Sequence, residues 1–207
     1  MFRKISIILL SVILIFNLGA ASFAQEFEES EVLKLPERSV GEMIEIPLGE
    51  AKYFENRSGE LIDVTDLLSF DTEDEANAYV EMIKAELNNP AQHKTDSLIV
   101  PMSTNGDILV DQDHIYLFAY INLRVAYSTS GDNNTGYITY HNAYTTFTGL
   151  TYGYDWNEAS CYSQIASGGK DIYAAASGVL DYYFLVNGML RFYSEQIYLS
   201  GYAYVIR

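Results

Sequence analysis

From residue 97 to the C-terminus, apolar side chains recur at every second position, the spacing of strands that bury one face. Asn105-Gly106 and Asn187-Gly188 each stand between apolar runs. Asn-Gly suits a type I′ turn, because both residues tolerate positive φ and that turn matches the twist of paired strands. A two-residue turn at Asn187-Gly188 would join long arms, residues 172–186 and 189–205. It would set Leu185 opposite Leu190, Tyr183 opposite Phe192 and Tyr182 opposite Tyr193. Residues 115–127 read as one strand, with Ile115, Leu117, Ala119, Ile121, Leu123, Val125 and Tyr127 on the core face. Residues 128–136 read as a loop, and residues 137–147, 150–156 and 159–166 as further strands. Ser167-Gly168-Gly169-Lys170 reads as the next turn.

About seven or eight strands joined by short connections imply antiparallel pairing. The expected fold is mainly β: an antiparallel β-sandwich or closed barrel, preceded by one amphipathic α-helix. That helix is marked by Thr72-Glu73-Asp74-Glu75, a capping box in which the Thr72 hydroxyl takes the N–H of Glu75. Three acids in the first turn complement the positive helix end. Ala76, Tyr79, Val80, Ile83 and Leu87 form one apolar stripe, and Asn88-Asn89-Pro90 should stop the helix.

The N-terminus reads as an address. Arg3 and Lys4 precede an apolar run, residues 5–18, and Ser22-Phe23-Ala24 fits a small-x-small cleavage site. This is the pattern of a secretory signal peptide over residues 1–24, cleaved near Ala24, and it predicts a secreted, extracellular protein of a kind common among bacteria. The apolar run is short for a membrane span. Residues 25–68 form an acidic segment, expected to be partly mobile, to add edge strands or to serve as a removable pro-region. Residues 69–96 hold the helix and a linker, and residues 97–207 the tyrosine-rich β-domain. The split is compositional: residues 25–96 carry 19 acids and six basic residues, whereas residues 97–207 hold 16 of the 18 tyrosines and the only tryptophan.

A formal net charge of −16 argues against nucleic acid and anionic lipid as partners. One cysteine, Cys161, excludes an intramolecular disulfide framework. Cys161 lacks an electropositive setting and reads as a small core residue. His141 has Ser160 and Asp155 near it in sequence, but nothing in the sequence assembles a triad, and no Gly-x-Ser-x-Gly elbow occurs. Asp111-Gln112-Asp113-His114 and Asp132-Asn133-Asn134 offer metal donors, yet neither has calcium-loop spacing, and turn chemistry accounts for both. Gly168-Gly169-Lys170 lacks the spacing of a phosphate loop. No catalytic constellation, metal site or cofactor is therefore expected.

Tyrosines are the feature above background. Tyr140, Tyr144, Tyr152, Tyr154 and Trp156 lie within a short stretch, and the last three alternate as if on one strand face. Such a stripe can stack on sugar rings or give rigid contact area to a protein, although tyrosine also fills half-buried sheet positions. The expected function is non-enzymatic surface binding to a protein or glycan by these five residues. A membrane-active or antagonistic toxin and a self-associating matrix protein are the alternatives. The toxin is disfavoured because both faces of residues 172–186 are apolar, unlike a pore strand.

Overall fold

The computed structural model describes residues 31–87, 105–115, 119–131 and 136–205. The leader, the helix stop at Asn88-Asn89-Pro90, the compositional boundary near residue 90 and the Asp132-Asn133-Asn134 run lie outside the described residues. The described chain is mainly β, with one α-helix and three sheets that do not close into a barrel. Five short strands come first: β1 (Val32–Leu33), β2 (Met43–Pro47), β3 (Tyr53–Glu55), β4 (Leu61–Asp63) and β5 (Ser69–Phe70). Helix α1 (Glu73–Leu87) follows. Six long strands complete the chain: β6 (Asn105–Ile115), β7 (Ala119–Ser130), β8 (Tyr137–Gly149), β9 (Tyr154–Ala166), β10 (Asp171–Val186) and β11 (Met189–Tyr204).

The β10–β11 hairpin is the spine. Asn187 and Gly188 both adopt positive φ, 51° and 76°, and the ladder pairs Leu185 with Leu190, Tyr183 with Phe192 and Tyr182 with Tyr193. Strand β9 extends this sheet along β10, and β2 extends it along β11. Pairing is antiparallel among the long strands, but β5 runs parallel to β10 and β1 parallel to β3, so the expectation of a wholly antiparallel fold is corrected. Both parallel pairs are two residues long: β1–β3 lies within the acidic segment, and β5, just before the helix, reaches β10 from elsewhere in the chain rather than through a hairpin.

Strands β6, β7 and β8 make a separate antiparallel sheet. Here two sequence expectations are corrected. Ile115 pairs directly with Ala119, so the chain reverses between them and residues 115–127 are not one strand. The intervening Tyr116-Leu117-Phe118 carries none of the usual turn residues. Asn105-Gly106 is not a turn either: it opens β6, paired with Ser128 and Tyr127. A Cβ at Gly106 would fall inside the Tyr127 ring, so glycine is required by close approach rather than by φ.

Both long-strand sheets contribute to one core. It joins Ile121, Leu123 and Val125 of β7 to Ile172, Leu180, Tyr182 and Phe184 of β10 and Leu199 of β11. The helix adds its whole predicted stripe, Ala76, Tyr79, Val80, Ile83 and Leu87, and the Thr72 hydroxyl accepts from the Glu75 N–H at 3.3 Å. Asp111 of β6 accepts from the Ser200 N–H of β11 at 2.9 Å, and His141 of β8 meets Ser163 of β9 at 2.8 Å.

The opposite face of the β10–β11 sheet carries a second core. Tyr183, Leu190 and Phe192 pack against Phe54, Val64 and Leu67 of the acidic segment. Strand β10 is therefore buried on both sides from Gly178 to Phe184, while from Asp171 to Ser177 only alternate residues are buried. Each large side chain fully buried in this way contributes about 1.5–3 kcal/mol.

Candidate functional site

The loop before β9 forms one wall of a cleft of about 360 Å³, and the acidic segment forms the other. Residues 150–156 are not a strand throughout: Thr151 to Gly153 turn, and β9 then runs unbroken from Tyr154 to Ala166. Gly153 sits at φ 76°, its carbonyl accepting from the Tyr183 N–H at 2.7 Å. A Cβ there would lie 2.8 Å from the Tyr183 carbonyl oxygen, so the turn is clamped against β10. The expected break between residues 156 and 159 is a β-bulge instead, beside Gly178, over which the Trp156 ring lies.

The second wall is the β3–β4 hairpin and the single 3₁₀ turn after it, Val64–Asp66. The Asn56 side chain accepts from the Glu60 N–H at 2.7 Å and closes the hairpin loop. Asp63 caps the 3₁₀ turn by accepting from both the N–H and the hydroxyl of Thr65, and these bonds hold its pKa below the ordinary value. The walls are joined by Ser58, whose N–H and hydroxyl both donate to Asp155.

The acidic residues Glu60, Asp63, Asp66 and Asp155 and the aromatic residues Tyr152, Tyr154, Trp156 and Phe147 line this cleft, the Asp63 and Asp155 carboxylates also being held by Thr65 and Ser58. Among the described residues, its lining includes no lysine or arginine. Tyr152 is 73% exposed at the rim. Trp156 is half-buried, its Nε1–H donating at 2.9 Å to Thr145, whose hydroxyl bonds Glu158. Tyr154 is buried and shares a 2.7 Å hydrogen bond with Tyr79 of the helix, so it is mainly a core residue.

The structure thus brings Tyr152, Tyr154 and Trp156 to one cleft, by a turn and a strand start rather than by strand alternation. It places Tyr140 and Tyr144 elsewhere. Both pair with β7 positions, Ser128 and Arg124, whose side chains do not enter the core. Tyr144 donates to Asp107, which also holds Arg124, and this bond with Asp107 raises the Tyr144 pKa. The acidic wall was missed because Glu60, Asp63 and Asp66 lie some 90 residues from Trp156 in a segment marked only by its charge.

The other candidates resolve locally. The Asp111–His114 run is strand, not turn, so alternation divides its donors. Asp111 takes the N–H groups of Ser200 and Gln112, while the His114 ring lies tilted against Tyr120 and faces Glu86. His141 meets Ser163, not Ser160. Ser160 bonds Ser177 on the other face, and Asp155 is held by Ser58. Cys161 is partly buried against the main core, and burial, then the nearby Glu158 charge, push its thiol up to about 11. That value keeps it protonated and a poor nucleophile near neutral pH. Comparison with known proteins finds no family model that matches this chain, no similar curated protein and no similar solved structure.

Proposed function

We propose that this chain is an exported, non-catalytic binding protein built on a β-sandwich of its two long-strand sheets, and that its cleft receives a basic side chain of a partner protein. The supporting observation is the joint lining of the cleft by four acidic residues together with Tyr152 and Trp156, and by no lysine or arginine among the described residues. A guanidinium or ammonium group gains from both: carboxylates attract and hydrogen-bond it, and an aromatic face contributes about 0.5–2 kcal/mol more. A volume of about 360 Å³ accommodates one long side chain. The formal charge of −16 favours encounter with a basic surface, with an association rate that falls as salt rises.

Trp156 is the sole tryptophan and lines the cleft, so its fluorescence reports occupancy. Titration with an arginine-rich peptide should perturb that emission saturably, more weakly at high salt. Tyr152→Ala or a Glu60→Gln/Asp66→Asn pair should weaken binding about tenfold. Unchanged emission with arginine-rich and lysine-rich peptides alike would reject this reading.

A further inference from the structure

We propose that the uncovered half of the β9–β10–β11 face is a second binding site, independent of the cleft, for a neutral polysaccharide chain. Among the described residues, the acidic segment covers this face from Asp181 to Tyr183 on β10 and from Leu190 to Ser194 on β11. Beyond Gly178, three rings cross three adjacent strands: Tyr162 on β9, Tyr173 on β10 and Tyr202 on β11. Tyr173 stands directly opposite Tyr202 with ring centroids 5.1 Å apart, and Tyr162 follows at 6.3 Å. Tyr162 is 52% exposed and Tyr202 47% exposed, and Tyr198 beside them is 71% exposed.

Two properties select the occupant. The first is charge. In a chain of net charge −16, the described positions on this half-face are Tyr, Ser, Gln and Ala, with Asp171 at the far end as their single charged residue. A basic partner finds little to pair with there, and an uncharged polyhydroxylated one meets no repulsion. The second is shape and chemistry. No Leu, Ile, Val, Phe or Met side chain supplies the apolar centre usual in a protein interface. Rings alternate instead with hydroxyls and amides such as Ser177, Ser200 and Gln164, which match sugar faces and sugar hydroxyls respectively. The rings tilt by 55° and 57° to their neighbours and so form no single flat platform, which suits one glycan strand rather than a flat crystalline surface.

The test is native gel electrophoresis of the secreted protein through gels containing soluble β-glucan, glucomannan or, as an anionic control, polygalacturonate. Retardation is expected in a neutral polymer and not in the control. Tyr162→Ala/Tyr202→Ala should weaken it at least about tenfold, with Trp156 emission and melting temperature confirming the fold. Tyr162→Phe/Tyr202→Phe should keep much of it, since the rings remain. Tyr152→Ala should leave it unchanged, which separates this site from the cleft. Should the alanine pair fail to fold, Tyr198→Ala, at the most exposed of these rings, should still reduce retardation. Absence of retardation in every neutral polymer would overturn the proposal. So would retardation that survives ring removal, or a dimer that sediments as such and is lost in the alanine pair while no glycan binds.

Discussion

Asp181 is fully buried in the middle of β10, and its carboxylate takes a two-pronged contact from Arg38 at 3.2 and 2.5 Å and a hydrogen bond from Ser194. It pairs in register with the buried Asp155, which Ser58 holds. The acidic segment is thus fastened to the sheet at two carboxylates, one answered by a guanidinium and one by a serine. A buried carboxylate left without its cation costs about 3–5 kcal/mol, whereas replacing both partners by apolar groups can be nearly neutral. Arg38→Met should therefore lower the unfolding free energy by about 3 kcal/mol in denaturant titrations. Arg38→Met/Asp181→Leu should recover most of that loss. Equal losses in the single and double variants would show that the charge pair contributes nothing specific. None of this was legible in the sequence. Asp181 sits among apolar residues on its strand, and Arg38 lies 143 positions away.

Legibility at the scale of elements followed how local the determining physics is. The helix was readable because its cap, its stripe and its three first-turn acids all lie within 16 residues, and its predicted stripe is the buried one. The β10–β11 register was readable because a two-residue turn fixes every pair beyond it. The reversal between Ile115 and Ala119 was not, since the sequence between them, Tyr116-Leu117-Phe118, includes no glycine, asparagine or proline. Asn105-Gly106 misled because glycine there answers the Tyr127 ring, a contact made across the ladder. For the site, alternation pointed to residues 152–156, which the structure gathers by a turn and a strand start, and it could not supply the acidic wall opposite. The same limit applied to the acidic segment, residues 25–68, where short apolar patches suggested edge strands but could not say which residues of the sheet Phe54, Val64 and Leu67 would cover. Deleting the chain through Leu68 strips Phe54, Val64 and Leu67 from Tyr183, Leu190 and Phe192. The truncated protein should bind a hydrophobic dye and lose its cooperative melting transition. A truncated chain that melts cooperatively at the original temperature would mean that this cover is dispensable.

Across the whole molecule, tyrosines join the two cores and set its behaviour in alkali. Tyr182 and Tyr183 are buried, the Tyr182 hydroxyl without a hydrogen-bond partner among the described residues, and burial drives both pKa values upward, helped for Tyr183 by the charges of Asp181 and Asp155 against the opposing Arg57 contact. Burial also raises Tyr127 and Tyr193, the latter further through its bond with Glu195, and Cys161 is pushed up to about 11. Every one of these shifts favours the neutral, protonated form in the folded chain. Below about pH 8 both folded and unfolded chains keep these protons, so the groups add no pH dependence. From about pH 8 for the thiol and about pH 9 for the phenols, the unfolded chain begins to release protons that the folded chain retains. The folded state then binds more protons than the unfolded one, and stability falls as pH rises. Melting temperature should accordingly stay level from pH 7 to about pH 8 as far as these groups determine it, decline slightly as the unfolded thiol ionises, then drop progressively above about pH 10. Near-ultraviolet titration of tyrosinate should show two phases: an early one from phenols in solvent, and a late one that coincides with loss of the β-sheet circular dichroism signal. A single phase completed while the sheet signal persists would mean that the buried hydroxyls reach water without unfolding, and that the tyrosines joining the cores are less tightly enclosed than their burial implies.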